Sequence, residues 1–173
     1  MSETIRVAHS DDAPGIARVH VDSWRTTYKG IVSDDVLANL SYRQREQNAR
    51  QRLSNPDTVY TYVAQDEQGR IIGFITGGLN RDAISNYKSE LYAIYILKEA
   101  QGRGIGKKLT YALVERLIQE EYYSMLVWVL ADNPAYRFYE ALGGHYVATK
   151  QIEIGGVMLD EVSYGWHDIR MIL

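Results

Sequence analysis

Three glycines at every second position, Gly102, Gly104 and Gly106, stand among Arg103, Lys107 and Lys108, and residues of these types at this spacing suit phosphate binding. They follow the apolar run Leu91 to Leu97 and precede Ile105, Leu109, Ala112, Leu113 and Leu117, which recur on one helical face. A strand therefore feeds a helix through a loop with few side chains. The first turn of a helix has unpaired N–H donors and the positive end of the dipole. Together these favour a phosphate or pyrophosphate, and glycines let it approach the main chain closely. A glycine-rich turn with a solvated basic edge explains the same residues without a ligand.

Three phosphate loops compete for this spelling. The nucleotide loop G-x-x-x-x-G-K-[ST] fails, because Gln101 stands where its first glycine belongs and Lys108 where its hydroxyl belongs. The dinucleotide fingerprint G-x-G-x-x-G is met only as G-x-G-x-G, after a strand that lies mid-chain. An oxidoreductase of that kind also needs an acidic residue at a strand end about twenty residues on, whereas Glu120 and Glu121 end a helix. The third pattern, [QR]-x-x-G-x-[GA], is matched by Gln101, Gly104 and Gly106, and here the chain resembles the GNAT superfamily of acyl-CoA-dependent N-acetyltransferases. Two flanking stretches extend the resemblance. Glu90 to Gln101 looks like the family's central strand, with an acidic residue eleven positions before the glutamine. Asn133 to Gly144 looks like the family's N-x-x-A-x-x-[FL]-Y-x-x-x-G-[FW] helix, with Gly144 in place of the final aromatic.

The resemblance implies one acyltransferase domain over residues 1–173. Its fold would be α/β (α+β), a mixed, mostly antiparallel sheet of six to seven strands with helices on both faces. Acyl-CoA would lie in a V between the fourth and fifth strands. The implied activity is transfer of acetyl from acetyl-CoA, without a metal, directly to a primary amine of a small molecule or peptide. The backbone of Gln101, Gly102, Arg103, Gly104, Ile105, Gly106 and Lys107 would hold the pyrophosphate. Ile94, Ile96 and Asn133 would meet the pantetheine amides, and Arg103 or Lys107 a further phosphate. A non-catalytic acyl-CoA sensor is the alternative; it would dispense with Glu90 and Tyr139, and both are present.

An amine with a pKa of about 10.4 is almost wholly protonated at neutral pH, so the site must remove a proton. Glu90 is the candidate base, directly or through water; an ordinary strand carboxylate is the alternative. The thioester oxygen needs a preorganised donor, which the resemblance places at a main-chain N–H near Ile96. The departing thiolate needs a proton, and Tyr139 stands at the family's tyrosine position, with Tyr136 and Tyr146 as lesser rivals. In a chain with 14 tyrosines, core packing beside Phe138 is the plainer explanation of Tyr139. Trp24 and Tyr28 are the acceptor-side candidates. His20 lies on a mostly apolar stripe and reads first as a core residue.

The elements that must position these residues follow from pattern. Ile5 and Val7 suggest a first strand, and Ser10 or Asp11 caps a helix that tolerates Pro14 and puts Ile16, Val19, His20 and Trp24 near one face. Ser33-Asp34-Asp35 starts a second helix and Ser41-x-x-Gln44 a capping box for a third, unless the two form one bent helix. Arg43, Arg45, Arg50 and Arg52 make it basic, as a solvated face or as a site for an anionic partner. Val59 to Gln65 and Ile71 to Leu79 form a hairpin whose second arm carries Gly73, Gly77 and Gly78, a sign of bends or a close neighbour. Asn80 to Lys88 is a polar loop with no assigned role. Met125 to Ala131 reads as a buried strand parallel to the key one across a right-handed crossover. Asn133 to Leu142 is a short helix stopped by Gly143-Gly144, and His145 to Ile154 with Val157 to Tyr164 close the chain as a hairpin around Gly155-Gly156. The acceptor cleft would be built from Trp24 to Leu40 and Ile152 to Leu159.

Composition bounds the answer. A chain of 173 residues, 46% hydrophobic, suits one well-packed domain. A net charge of −3 argues against nucleic acid as a bulk partner. The absence of cysteine excludes disulfides, zinc-thiolate sites and a cysteine acyl-enzyme. No window approaches the ~20 apolar residues of a membrane span, so no membrane partner and a cytoplasmic location are expected. A homodimer through the closing hairpin or the tail Trp166 to Leu173 is the expected assembly.

Overall fold

The computed structural model describes residues 2–81 and 86–173, so part of the polar loop at Asn80 to Lys88 lies outside the described residues. Seven strands form one sheet: β1 (Thr4–Val7), β2 (Val59–Gln65), β3 (Ile71–Leu79), β4 (Ser89–Ile96), β5 (Met125–Leu130), β6 (His145–Ile154) and β7 (Val157–Trp166). Their spatial order is β1-β2-β3-β4-β5-β7-β6, and only β4 and β5 run parallel. Helices α1 (Ala13–Thr27) and α3 (Tyr42–Leu53) cover one face. Helix α4 (Ile105–Gln119) covers the other, with the short α5 (Tyr136–Ala141) beside it; α2 (Asp34–Ala38) lies between α1 and α3 in the chain. Because both faces are covered, β3 is buried at every position from Ile71 to Gly78 and reads as a continuous apolar run. Ile105, Leu109, Leu113 and Leu117 form the buried stripe of α4, as their spacing of about one helical turn requires.

Several local expectations change. Ser10–Asp12 is a single 3₁₀ turn and α1 begins at Ala13, so neither Ser10 nor Asp11 caps it. The Asp12 carboxylate instead accepts both arms of Arg6 at 2.8 Å and the His9 N–H at 2.7 Å. Helices α2 and α3 are separate, each with a serine cap: Ser33 accepts from Val36 N–H and Ser41 from Gln44 N–H. Gln44 donates to Asn48 rather than completing the box. The tail folds back on its own chain, where Ile169 and Ile172 are buried against the main core, while Met171 and Leu173 stay exposed.

One irregularity shapes the site. The β3–β4 register runs Thr76 to Ala93 and then Gly77 to Leu91, so Tyr92 is an extra residue bulged out of β4. A bulge bends its strand and sharpens its twist. The parallel ladder between β4 and β5 ends at the same point, Leu91 opposite Val127, although both strands continue. Glycine is needed beside it: a Cβ on Gly77 would lie 2.8 Å from the Glu90 carbonyl oxygen and from Leu113. The bulge also reverses parity. Glu90 and Tyr95 face opposite sides in a regular strand, yet their β3 partners Gly78 and Phe74 are four apart, so both face α1.

Candidate active site

Beyond Leu91 and Val127 the facing edges of β4 and β5 are unpaired, because β4 bonds β3 and β5 bonds β7 on their other sides. The gap opens into a pocket of about 910 Å³. One end is the start of α4. Gly102 and Gly104 hold φ of +76° and +79°, a region that favours glycine, and a Cβ on either would project into open space. The first bond of the α4 ladder is donated by Lys108 N–H to the Gly104 carbonyl (3.1 Å), so the N–H groups of Ile105, Gly106 and Lys107 precede it. Ile105 turns its side chain into the core and offers only backbone. Gly106 packs under Ile96 and Phe138, and Gln101 donates to the Ile96 carbonyl at 3.1 Å, tying the loop to the end of β4. Arg103 and Lys107 are exposed at the rim.

Ile94 and Ile96 lie on the open β4 edge and line the pocket. Asn133, buried at the end of β5, accepts the Ala135 N–H at 2.9 Å and donates to the Tyr28 hydroxyl at 3.2 Å. It thereby joins the β5–α5 turn to the end of α1. Tyr139 is buried on α5, edge-on to Phe138 and Trp166, and faces the pocket. Its hydroxyl has no hydrogen-bond partner among the described residues, and burial, then the neighbouring Tyr95, raises its pKa. Tyr139 comes six residues after Asn133, one fewer than in the motif, and the Asn133 side chain caps the turn between them by accepting the Ala135 N–H. The missing aromatic at position 144 has a physical reason. A Cβ there would sit 2.8 Å from the Trp166 ring, whose N–H donates to the Leu142 carbonyl at 3.0 Å, so Trp166 fills that corner from β7.

Glu90 is buried in the pocket wall and both its oxygens are engaged: Oε1 accepts the Arg81 N–H (3.0 Å) and Nε (3.3 Å), and Oε2 a terminal guanidinium nitrogen at 3.0 Å. Arg81 in turn stacks 3.9 Å over the Tyr92 ring. The polar loop thus contributes Arg81, which no local signal in the sequence marks. Trp24 and Tyr28 pack with ring centroids 4.6 Å apart and planes tilted by 55°, and the Tyr28 pKa is raised by burial and by Tyr95. Tyr28, Val32, Leu37 and Leu130 form a second core cluster with Ile152, Ile154 and Leu159 packed on it. The two stretches expected as cleft walls, Trp24 to Leu40 and Ile152 to Leu159, therefore meet in one place. Tyr136 stacks on Tyr164, and the exposed Tyr146 bonds Thr149; neither lines the pocket.

His20 sits among Trp24, Phe74 and Tyr95 with 9% exposure, as a core histidine. Burial first, then Arg45 and Arg52, lowers its pKa to about 3. A depressed folded-state value means that stability is complete above the unfolded value and falls as pH drops below it. We expect a loss of ~2 kcal/mol between pH 6.5 and pH 5, taking ~1.36 kcal/mol per unit. Urea melts across that range check it: the slope should vanish in His20→Phe, and its persistence there would assign it to another group.

The sequence model of the acetyltransferase (GNAT) family matches residues 20–144. The chain is 43% identical over 169 residues to an uncharacterized N-acetyltransferase, YuaI, of Bacillus subtilis (strain 168), spanning 98% of this chain and 95% of the relative. It is 27% identical over 135 residues to an L-methionine sulfoximine/L-methionine sulfone acetyltransferase of Pseudomonas paraeruginosa, spanning 78% and 75%. Its fold matches that of the PaiA N-acetyltransferase from Thermoplasma acidophilum in complex with coenzyme A, with a TM-score of 0.72, 20% identity and coverage of 96% and 100%. The chain belongs to the acetyltransferase (GNAT) family. It is an N-acetyltransferase, and its acyl donor is acetyl-CoA. The residues present fit that donor on two counts: a cradle of bare N–H groups at α4, and unpaired strand edges that a pantetheine arm can pair with. No helix among the described residues is long and apolar enough to cross a membrane.

Proposed function

We propose that this enzyme moves acetyl from acetyl-CoA directly to a primary amine of a small molecule or peptide, with Glu90 as base and Tyr139 as acid. The observation that carries the reading is the Tyr139 hydroxyl: buried at the V, raised in pKa and without a partner, it is a proton donor held ready. When bound, acetyl-CoA supplies an activated acyl thioester. The α4 N–H groups bind its pyrophosphate, with Gln101, Gly102, Arg103, Gly104, Ile105, Gly106 and Lys107 contributing backbone, and Ile94, Ile96 and Asn133 orient its pantetheine. A main-chain N–H near Ile96, fixed by the β3 ladder, offers a preorganised donor to the carbonyl oxygen. Trp24 and Tyr28 wall the acceptor end, where aromatic surface excludes water from the reacting pair.

Glu90 opens the reaction by taking a proton from the ammonium, directly or through one water. Three hydrogen bonds from Arg81 already fix the carboxylate, and of its roughly four lone-pair sites one on Oε2 is left for the incoming group. We expect Glu90→Gln to lower kcat by about 10²-fold, the lower end for general-base catalysis, with the KM for acetyl-CoA unchanged. Steady-state rates across pH 6 to 9 test this. A variant that retains the parent kcat throughout would remove Glu90 from the chemistry.

A further inference from the structure

Helix α3 carries four arginines, and the fold divides them. Arg43 is exposed and Arg50 pairs with Glu46 along the helix at 2.8 Å. Arg45 and Arg52 are seven residues apart, so they share a face, and both are half-buried. The Arg45 guanidinium lies 6.0 Å from the Trp24 ring. Arg52 lines a hollow of about 370 Å³ with Thr58, Leu79, Arg81 and Tyr92, and that hollow shares Arg81 and Tyr92 with the main pocket. The Arg52 guanidinium has no hydrogen bond or ion pair among the described residues. Burial, then the charges of Arg81 and Arg45, pushes its pKa below the ordinary value. The positive field also reaches the core beside the pocket, where Arg45 and Arg52 both depress His20. The Glu90 carboxylate beside this cluster is already taken by Arg81.

A half-buried guanidinium without a counter-charge is unfavourable in the free protein, and an aliphatic side chain would avoid the cost. Guanidinium groups match the planar, two-oxygen geometry of a carboxylate, and a ligand carrying one would complete the cluster. Resting on the acetyltransferase reading above, we infer that Arg52 and Arg81, which line the same hollow, bind a carboxylate carried by the molecule that presents the amine, so that the acceptor is of the amino-acid class. Tyr92, bulged from β4 between the two hollows, is the shared wall across which amine and carboxylate are held apart.

The experiment compares L-α-amino acids with their α-carboxamides as acceptors, following coenzyme A thiol release, to which a chain without cysteine adds no background. Acetyl-CoA affinity and acceptor binding are measured by calorimetry alongside. The inference expects at least one acid to exceed its amide by about tenfold or more in kcat/KM and in affinity, the value of one charge-assisted hydrogen bond. In Arg52→Met that ratio falls toward unity and in Arg52→Lys part of it returns. Acetyl-CoA affinity is kept, and the melting temperature of Arg52→Met does not fall. Acids and amides used equally well, or an Arg52→Met variant that loses acetyl-CoA affinity instead, would overturn the inference and leave the acetyltransferase reading standing. Thiol release with neither series, acetyl-CoA affinity being kept, would overturn the inference and leave the acetyltransferase reading standing; absence of acetyl-CoA binding would count against that reading itself.

Discussion

Gly104→Glu is expected to abolish acetyl-CoA binding while the protein still folds. At φ of +79° any side chain is strained, by roughly 1–2 kcal/mol for a non-glycine residue, yet its Cβ would meet nothing within 4 Å, so the core is untouched. The new carboxylate instead enters the cradle of α4 N–H groups, where it competes for the same donors and repels the pyrophosphate. We expect affinity to fall by about 100-fold or more, ~2.7 kcal/mol, in a calorimetric titration. Gly104→Ala separates strain from charge and should retain most of the binding. Equal affinity in the parent and Gly104→Glu would move the pyrophosphate site elsewhere.

Tyr139→Phe is expected to lower kcat by about 10³-fold, within the range for general-acid catalysis, and to leave acetyl-CoA affinity and the melting temperature nearly unchanged. The ring keeps its edge-on contacts with Phe138 and Trp166. Removing the hydroxyl orphans no neighbour among the described residues, because it has no partner there to lose. Its raised pKa keeps it protonated through the neutral and mildly alkaline range, so it remains a donor wherever the amine can be deprotonated. Single-turnover rates separate this from slow product release. A variant that transfers acetyl at the parent rate would leave Tyr139 a core aromatic and nothing more.

The cradle was legible in the sequence because its function is written in glycine: positions 102 and 104 must reach φ values that side chains disfavour, and the helical stripe after them fixes the element. The final hairpin was legible for the same kind of reason, with Gly155 and Gly156 both at positive φ in the turn. The other wall was not. Tyr95 shares a face with Glu90 only because Tyr92 is bulged, and alternation alone places them on opposite faces. Arg81 sits at the end of a polar stretch, and nothing local announces that its side chain and N–H both return to Glu90 nine residues later. Arg52 looks like one more charge on a basic helix, and only the tertiary packing distinguishes it from Arg43 and Arg50. Gly144 departs from the motif for a reason only tertiary packing shows, since Trp166, twenty-two residues on, lies against it.

The central claim is that acetyl-CoA binds with its pyrophosphate at the start of α4 and its pantetheine against the open edge of β4. Hydrogen exchange followed by mass spectrometry, with and without acetyl-CoA, tests it on the backbone itself. The account predicts added protection in two segments: Gly102 to Lys107 at the start of α4, and Ile94 to Ile96, whose groups on the β5 side have no strand partner in the free protein although the β3 side is paired. Protection elsewhere with neither segment changed would contradict it, and would show that the donor sits outside the V.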